Sequence, residues 1–216
     1  MAYGLRPVSH GGYLYNTGGN EAFPIFGDVS DGTAVIGNGD IVTLNAGGGI
    51  QLGTTTPTGL AVPAADQVDA PTNQIMGVFV GCEYVDTTGT PQWGNHYPGS
   101  AATTDGNDRT GYVVTSPSAV FQVSSGSGTP AAWSDTYIGS INILSNMSSA
   151  SITTGLSGIT IANLAATDPT PAVGGAVRII GVVKDGKNET SSVTTPDVLV
   201  RWADPTVLYY GFGLGV

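Results

Sequence analysis

The stretch Ala119-Val120-Phe121-Gln122-Val123 alternates between side chains directed to a core and side chains directed away from it. Val198-Leu199-Val200-Arg201-Trp202 follows the same pattern near the other end of the chain. A side-chain period of two is typical of a β-strand that buries one face. These two stretches therefore predict strands that pack on a common core.

Other short apolar runs are rich in β-branched residues and end at Gly or Asp-Gly. They predict further strands at residues 40–44, 74–84, 111–115, 138–144, 157–164 and 176–184. Turn sequences such as Asn38-Gly39 and Asp185-Gly186 separate the runs. No segment shows a sustained helical stripe, and at most one short helical turn is expected after Trp133, capped by Ser134 or Asp135. The sequence thus predicts an all-β fold, either a single β-barrel or a jelly-roll-like sandwich.

One internal similarity links two of these runs. Ile75-Met76-Gly77-Val78-Phe79-Val80 resembles Ile179-Ile180-Gly181-Val182-Val183. Two related strand pairs within one barrel would give this pattern. A glycine that marks a β-bulge or a bend in each strand would give it as well. Both interpretations stay open at the level of sequence.

The chain carries few charges, and most of them are negative. Sixteen acidic and 6 basic residues give a net charge of −10, and charged residues make up only 10% of the chain. Nucleic-acid-binding proteins neutralise phosphates with Lys and Arg, so an acidic chain is repelled by DNA and RNA. We therefore expect no direct nucleic-acid partner. Hydrophobic residues, at 40%, are sufficient for a folded core.

The cysteine content and the lengths of the apolar runs indicate in which cellular compartment the protein folds. Cys82 is the only cysteine, so no internal disulfide is expected, and its apolar context predicts a buried, inert thiol. The first residues lack the apolar segment of a secretory signal. No run approaches the roughly 18 apolar residues of a membrane-spanning helix. We expect a protein that is made and assembled in the cytoplasm without membrane insertion.

Both ends of the chain are apolar but irregular. Residues 1–27 interleave large apolar side chains with Gly and Pro, which predicts an extended arm laid against another surface. Residues 207–216 are uncharged and must be covered, either by the protein's own core or by a neighbouring subunit. Residues 28–206 would form the β-barrel or sandwich domain between them. The candidate residues for binding another protein surface or a neighbouring subunit are Tyr3, Leu5, Arg6, Tyr13, Tyr15, Phe23, Phe26, Tyr209, Tyr210 and Phe212.

A series of blocks, taken in order, carries a family resemblance over most of the chain. The blocks are residues 3–8, 13–16 and 39–42, the densest stretch at 75–86, then Gly89, Tyr97-Pro98, and residues 120–123, 138–139, 178–183 and 197–201. In this order they resemble the small structural proteins of tailed-bacteriophage heads, of the capsid decoration (cement) type. None of the blocks is a catalytic signature.

The resemblance implies a compact β-barrel or jelly-roll-like sandwich on the exterior of the virion capsid, often as a homotrimer. The implied partners are the major capsid protein and other copies of the chain itself. The implied role is to tie capsid subunits together and help the shell to resist internal DNA pressure, without enzymatic activity or a cofactor. The uncharged aromatic tail departs from the more polar ends of such proteins, so its contacts stay open.

A second hypothesis is a head-fibre or tail structural protein that binds a receptor or a glycan. Trp93, His96 and Tyr97 lie in a segment flanked by Pro and Gly, as expected of a sugar- or partner-binding loop. A loop that folds its aromatic side chains back over the end of the barrel would have the same composition. We favour the folded-back loop.

Residues arranged for catalysis or metal binding are scarce in the sequence. His10 and His96 are the only histidines, and neither has a second His or Cys at ligand spacing. Gly155-Leu156-Ser157-Gly158-Ile159 lacks the final glycine of a nucleophile elbow. Asp105-Gly106-Asn107-Asp108 is the best candidate for Ca²⁺, but turn formation commonly explains such a sequence. We therefore predict no catalytic residue and no metal, which disfavours a third hypothesis, a secreted β-sandwich enzyme.

Overall fold

The computed structural model describes twelve stretches of the chain. They are residues 3–10, 13–14, 19–26, 35–44, 48–53, 75–99, 109–126, 134–142, 144–147, 150–161, 176–183 and 195–203. Within them the chain forms fourteen strands and no α-helix, which confirms the all-β prediction. A 3-10 turn at Asp135–Tyr137 is capped by the Ser134 side chain, which accepts a hydrogen bond from the Thr136 amide.

The strands fall largely where the apolar runs predicted them. Their bounds are β1 (Arg6–His10), β2 (Tyr13–Leu14), β3 (Asn20–Pro24), β4 (Ile41–Leu44), β5 (Ile50–Leu52), β6 (Ile75–Val85), β7 (Pro91–Gly94), β8 (Thr110–Val114), β9 (Ala119–Ser124), β10 (Ile141–Asn142), β11 (Leu144–Ser145), β12 (Thr160–Ile161), β13 (Val177–Val182) and β14 (Asp197–Trp202). Each of the eight predicted runs contains a strand. Strands β1, β2, β3, β5 and β7 were not predicted from the apolar pattern.

Two antiparallel sheets pack against each other as a sandwich. Sheet A has the order β10-β13-β14-β9-β1-β2, and sheet B has the order β3-β8-β6-β4-β5 with β7 paired to β6. Strands β11 and β12 form a separate pair. No closed barrel is present among the described strands, so the sandwich is the form that the predicted fold takes.

The main core lies between the two sheets. Sheet A contributes Phe121 and Val200, and sheet B contributes Val78 and Val114, all completely buried. Phe121 and Trp202 meet edge to face with ring centroids 5.5 Å apart. Full burial of a large apolar side chain stabilises a fold by about 1.5–3 kcal/mol, so this layer is the principal source of stability. The alternation in β9 and β14 predicted the inward-facing residues correctly.

A second apolar cluster lies on the other face of sheet B. It includes Ile25, Ile50, Phe79 and Val113, all buried. The two edge strands of the sheet meet at an isolated bridge between Ile25 and Ile50, where the Phe26 amide donates to the Ile50 carbonyl over 2.8 Å. Sheet B is therefore strongly curled around this second cluster.

The N-terminal segment differs from the predicted extended arm. Leu5 is completely buried in the main core, β1 pairs with β9, and β3 pairs with β8. Pairing with their own sheets satisfies the backbone groups of these strands, and burial of Leu5 and Ile25 covers their apolar side chains. The described parts of residues 1–27 thus belong to the sandwich, and a division at residue 27 does not separate an arm from a domain. The predicted tail, residues 207–216, lies outside the described residues.

A short segment, residues 35–40, joins the parts of the molecule and is called the junction segment below. Gly39 accepts from the Leu5 amide over 3.0 Å and donates to the Phe79 carbonyl over 2.8 Å. Ser157 donates its amide to the Asn38 carbonyl over 3.0 Å. Gly39 has a φ of 91°, and a Cβ there would lie 2.7 Å from the Tyr3 carbonyl oxygen, so only glycine fits this crossing.

The internal similarity between β6 and β13 coincides with bulges. The register of β13 against β14 shifts between Ile179 and Gly181, and that of β6 against β4 shifts next to Gly77, where Val42 pairs with Gly77 and Thr43 pairs with Ile75. The interpretation of Gly181 as a bulge marker is therefore confirmed. Each bulge sharpens the local twist of its sheet.

Candidate binding surfaces

The predicted site residues whose side chains the structure describes lie in different parts of the sandwich. Leu5 is a core residue, Arg6 is exposed on β1, and Phe23 packs beside the second cluster. Tyr3 and Phe26 are half-buried in the sandwich. For Tyr13, the structure describes only its position in strand β2. Tyr15, Tyr209, Tyr210 and Phe212 lie outside the described residues.

Tyr3 fixes the start of the described chain to sheet A. Its phenol lies beside Asp197 and Gln122, and Gln122 donates its side-chain amide to Asp197 over 3.0 Å. Burial, followed by the neighbouring Asp197 carboxylate, raises the pKa of Tyr3 well above its ordinary value. The phenol is therefore uncharged throughout the physiological range and serves a structural contact.

Sheet A presents an outer surface that we call the arginine face, formed by Arg6, Arg178 and Arg201. Arg178 on β13 lies directly opposite Arg201 on β14, so the two side chains share one side of the sheet. Val120 lies opposite Arg201, and Gln122, two residues further along β9, lies opposite Arg6. Side chains two residues apart in a strand point the same way. The three arginines therefore lie on the side of sheet A that faces away from the main core.

The arginine face concentrates positive charge in an acidic chain. The protein has four arginines, and the fourth, Arg109, is buried with 3% of its surface exposed. Arg178 donates to the Gly139 carbonyl over 3.0 Å, and Arg201 is exposed. The remaining strand neighbours of the pair in register are apolar, Ile141 beside Arg178 and Val120 beside Arg201. Like charges placed opposite each other destabilise a sheet, by up to about 1 kcal/mol, so this arrangement is costly for the isolated fold.

The neighbouring guanidinium groups of Arg178 and Arg201 are suited to binding carboxylate ligands. Arginine forms paired, charge-assisted hydrogen bonds with a carboxylate in one plane. Arg178 and Arg201 were not selected as site residues from the sequence. The outward position of Arg201 follows from the alternation of β14, but its pairing with Arg178 depends on the register of distant segments.

A second surface, called the aromatic patch, consists of Trp93, Tyr112 and Glu83. Trp93 on β7 lies opposite Glu83 on β6, and its indole is 73% exposed. The Trp93 and Tyr112 rings are nearly parallel, with an interplanar angle of 10° and centroids 6.2 Å apart. Partial burial, then the charge and hydrogen bond of Glu83, raise the pKa of the Tyr112 phenol. The three side chains therefore form one contiguous group.

The predicted aromatic loop is divided by the structure. Trp93 lies in a regular strand and points outward, whereas Tyr97 is completely buried. Tyr97 packs edge to face on Tyr84, with centroids 6.1 Å apart, and accepts a 3.0 Å hydrogen bond from Arg109. The folded-back interpretation thus holds for Tyr97 and not for Trp93. Tyr112 was missed because its proximity to Trp93 arises from pairing across three strands.

The buried titratable groups belong to the scaffold. The Asp40 carboxylate, completely buried in the junction segment, accepts from the Gly37 amide over 2.7 Å. Burial raises its pKa to about 6, against the opposing effect of hydrogen bonds from Ser157 and Gly37. Ser157 is the serine of residues 155–159, the sequence that was compared with a nucleophile elbow. It is buried, and its hydroxyl accepts a hydrogen bond from the Ile159 amide over 3.1 Å. Its contacts are structural.

Within the described part of the chain, no three His, Cys, Asp or Glu side chains are grouped to hold a metal ion. The same residues include no helix with the length and apolarity needed to cross a membrane. No protein-family model, curated protein or solved structure matches the chain. Two exposed surfaces of unusual chemistry, the arginine face and the aromatic patch, therefore remain as the sites from which a function is inferred.

Proposed function

We propose that the chain is a structural subunit of a tailed-phage virion, of the capsid decoration type. It binds the outer surface of the major capsid shell, stabilises the shell against internal DNA pressure and catalyses no reaction. The arginine face is the observation that carries this proposal. A protein with a net charge of −10 carries three of its four arginines on the outer side of one sheet, together with a single acidic strand residue, Asp197, among the paired positions. This excess of positive charge suits docking on an acidic protein surface.

The sequence blocks give independent support. The blocks that resemble decoration proteins coincide with β6, β9, β13 and β14, the strands that line the main core. The resemblance therefore concerns the residues that specify the sandwich. In such a sandwich the outer side of sheet A faces away from the main core and is the side on which another surface can dock.

In the proposed mechanism, many copies of the chain bind preferentially to the assembled shell and so stabilise it. A partner that binds only the assembled shell stabilises that shell in proportion to the occupancy of its sites. Each contact through the arginine face is weak alone, but copies that also contact one another bind with avidity. We propose that the partners are the major capsid protein and further copies of the chain, as a homotrimer. Nucleic acid is not among them, because the net negative charge opposes binding to phosphates.

The primary test is quantitative mass spectrometry of purified virions, in which this chain is counted against the major shell protein. A ratio near one supports decoration of the whole lattice. A few copies per particle would assign the chain instead to a vertex, a fibre or the tail. Absence from virions would refute a structural role.

A second test examines the arginine face directly. The double variant Arg178→Gln/Arg201→Gln is added to particles assembled without the chain, and bound protein is measured at low and high salt. We expect weaker attachment and a smaller salt dependence than for the unmodified chain. The matched control, Thr87→Glu/Ser118→Glu, makes the same change in net charge at two exposed turn positions. Equal attachment of the arginine variant and the unmodified chain would remove the arginine face from the mechanism.

A further inference from the structure

We propose that the aromatic patch is a binding site for a neutral carbohydrate. The site is separate from the arginine face: it lies on sheet B, and its residues are Trp93, Tyr112 and Glu83. Its existence does not depend on attachment to a capsid.

The exposure of Trp93 sets it apart from the other aromatic residue of the same segment. Tyr97, four residues later, is completely buried, whereas Trp93 leaves 73% of its surface in solvent. The exposed indole is stacked with the Tyr112 ring, so the two form a contiguous apolar patch, and such patches mark binding surfaces.

The ring geometry suits the flat face of a sugar. The Trp93 and Tyr112 rings are parallel to within 10° and are offset, with centroids 6.2 Å apart. The C–H groups on one side of a pyranose ring carry partial positive charge, and the faces of aromatic rings carry partial negative charge. Because the rings are stacked, one face of the Trp93 indole is turned toward Tyr112. Trp93 is 73% exposed, so the other face is open for such C–H groups to pack on.

Glu83 supplies the polar part of the site. It lies opposite Trp93 in register, and its carboxylate contacts the Tyr112 hydroxyl. An ionised carboxylate has several acceptor positions and no donor, so it binds the hydroxyl groups of a ligand rather than its acceptors. Apolar faces beside a few placed polar groups are the usual composition of a small-ligand site.

The site is fixed in position by the turn between β6 and β7. Asp86 accepts from the amides of Thr88 and Thr90 over 2.8 and 3.0 Å, and from the Gln92 side chain over 3.0 Å. These bonds close the hairpin directly before Trp93. A site held in its bound geometry loses less freedom on binding, which favours affinity.

Charge and ring orientation select the ligand class. Glu83 within the site and the net charge of −10 repel anionic sugars and phosphates. Quaternary ammonium ligands are recognised by cages of several aromatic rings, whereas this patch has two rings stacked on each other. A neutral, hydroxyl-rich ligand fits both constraints.

The test titrates the full chain with neutral hexasaccharides of glucose, mannose, galactose and N-acetylglucosamine, with an oligogalacturonate and with choline. Binding is followed by calorimetry and by tryptophan fluorescence. We expect at least one neutral hexasaccharide to bind, and neither oligogalacturonate nor choline. Trp93→Ala should weaken this binding about tenfold or more, and Glu83→Gln should weaken it by a smaller factor.

The matched control is Ile152→Ala, which removes an exposed apolar side chain, 67% exposed, elsewhere on the surface. It should leave binding unchanged. Circular dichroism and thermal unfolding of Trp93→Ala check that the fold is retained, as expected for an exposed side chain. No binding of any neutral hexasaccharide, equal binding by Trp93→Ala, or a preference for choline would each overturn the proposed site.

Discussion

The hydroxyl of Tyr97 accepts a 3.0 Å hydrogen bond from the guanidinium of Arg109, and both side chains are buried. A buried guanidinium retains its charge and must have acceptors. The same tyrosine is bridged to Ile36 through its backbone, so this contact ties β8 to the junction segment.

Replacement of Tyr97 by Phe should therefore destabilise the protein by about 1–3 kcal/mol, because Arg109 loses an acceptor in a buried site. Urea unfolding followed by tryptophan fluorescence measures the change. Tyr112→Phe removes a half-buried hydroxyl and should cost less than about 0.5 kcal/mol. Equal stabilities of the two variants would contradict a stabilising role of the buried pair.

Asp40 should make stability depend on pH. Its folded pKa, about 6, lies above the ordinary value of 3.8 because the carboxyl is buried. The stabilising contribution of the neutral form is complete below pH 3.8 and is lost as the pH rises through 6. A pKa that is raised from 3.8 to about 6 corresponds to about 3 kcal/mol in the free energy of unfolding.

Asp40→Asn should accordingly raise the stability relative to the unmodified chain at pH 8 and have little effect at pH 4, as measured by urea unfolding at both values. Asp86 provides a control of opposite sign, since hydrogen bonds from Thr88 and Thr90 lower its pKa to about 2. Asp86→Asn should lower stability at neutral pH. A gain from Asp40→Asn that is the same at both pH values would exclude titration as its cause.

Gly77 and Gly181 occupy similar sequences but have different surroundings. A Cβ at Gly77 would overlap the backbone carbonyl of Val114, whereas a Cβ at Gly181 meets no atom within 4 Å. Gly77→Ala should cost about 1–3 kcal/mol or more, because the neighbouring strand must move. Gly181→Ala should change stability by less than about 1 kcal/mol. Thermal unfolding of the two variants in parallel tests this difference.

The opposed arginines should cost the isolated chain stability. Arg201→Gln removes one of two like charges that face each other across β13 and β14. We expect a gain of about 0.2–1 kcal/mol at low salt, which decreases as salt screens the repulsion. Urea unfolding at two salt concentrations measures it. A loss of stability would indicate that Arg201 makes a favourable contact within the fold.

Cys82 should be unreactive in the folded protein. It is 2% exposed, and burial, followed by the charge of Glu83, raises its pKa to about 12. Because the thiolate is the reactive form, an aromatic disulfide reagent at pH 8 should label Cys82 only after unfolding in guanidinium. Rapid labelling without denaturant would show that this part of sheet B opens frequently.

The sequence predicted the strands that bury one side and contact the main core, because burial of one side imposes an alternating pattern. The apolar pattern did not predict strands β3 and β7, because they lie at or near sheet edges and β3 buries no side chain fully. Proline and exposed polar residues interrupt their pattern. Each residue of the arginine face and of the aromatic patch can be read from the sequence. Which of them lie side by side depends on the register of strand pairing, which the sequence pattern does not give. Which residue of β13 faces Arg201, or which of β6 faces Trp93, is decided by segments far apart in the chain.

The position of β14 within sheet A constrains how the chain is made. This strand, residues 197–202, lies between β13 and β9 and is the only described connection between the two halves of that sheet. A nascent chain on the ribosome can pair β1 with β9, yet it lacks the strand that brings β13 beside them until residue 202 has been released. Long-range pairing of this kind folds slowly and leaves apolar edges open to other chains. Premature termination before residue 197 would therefore yield a product with a divided sheet, a ready substrate for chaperones and proteases.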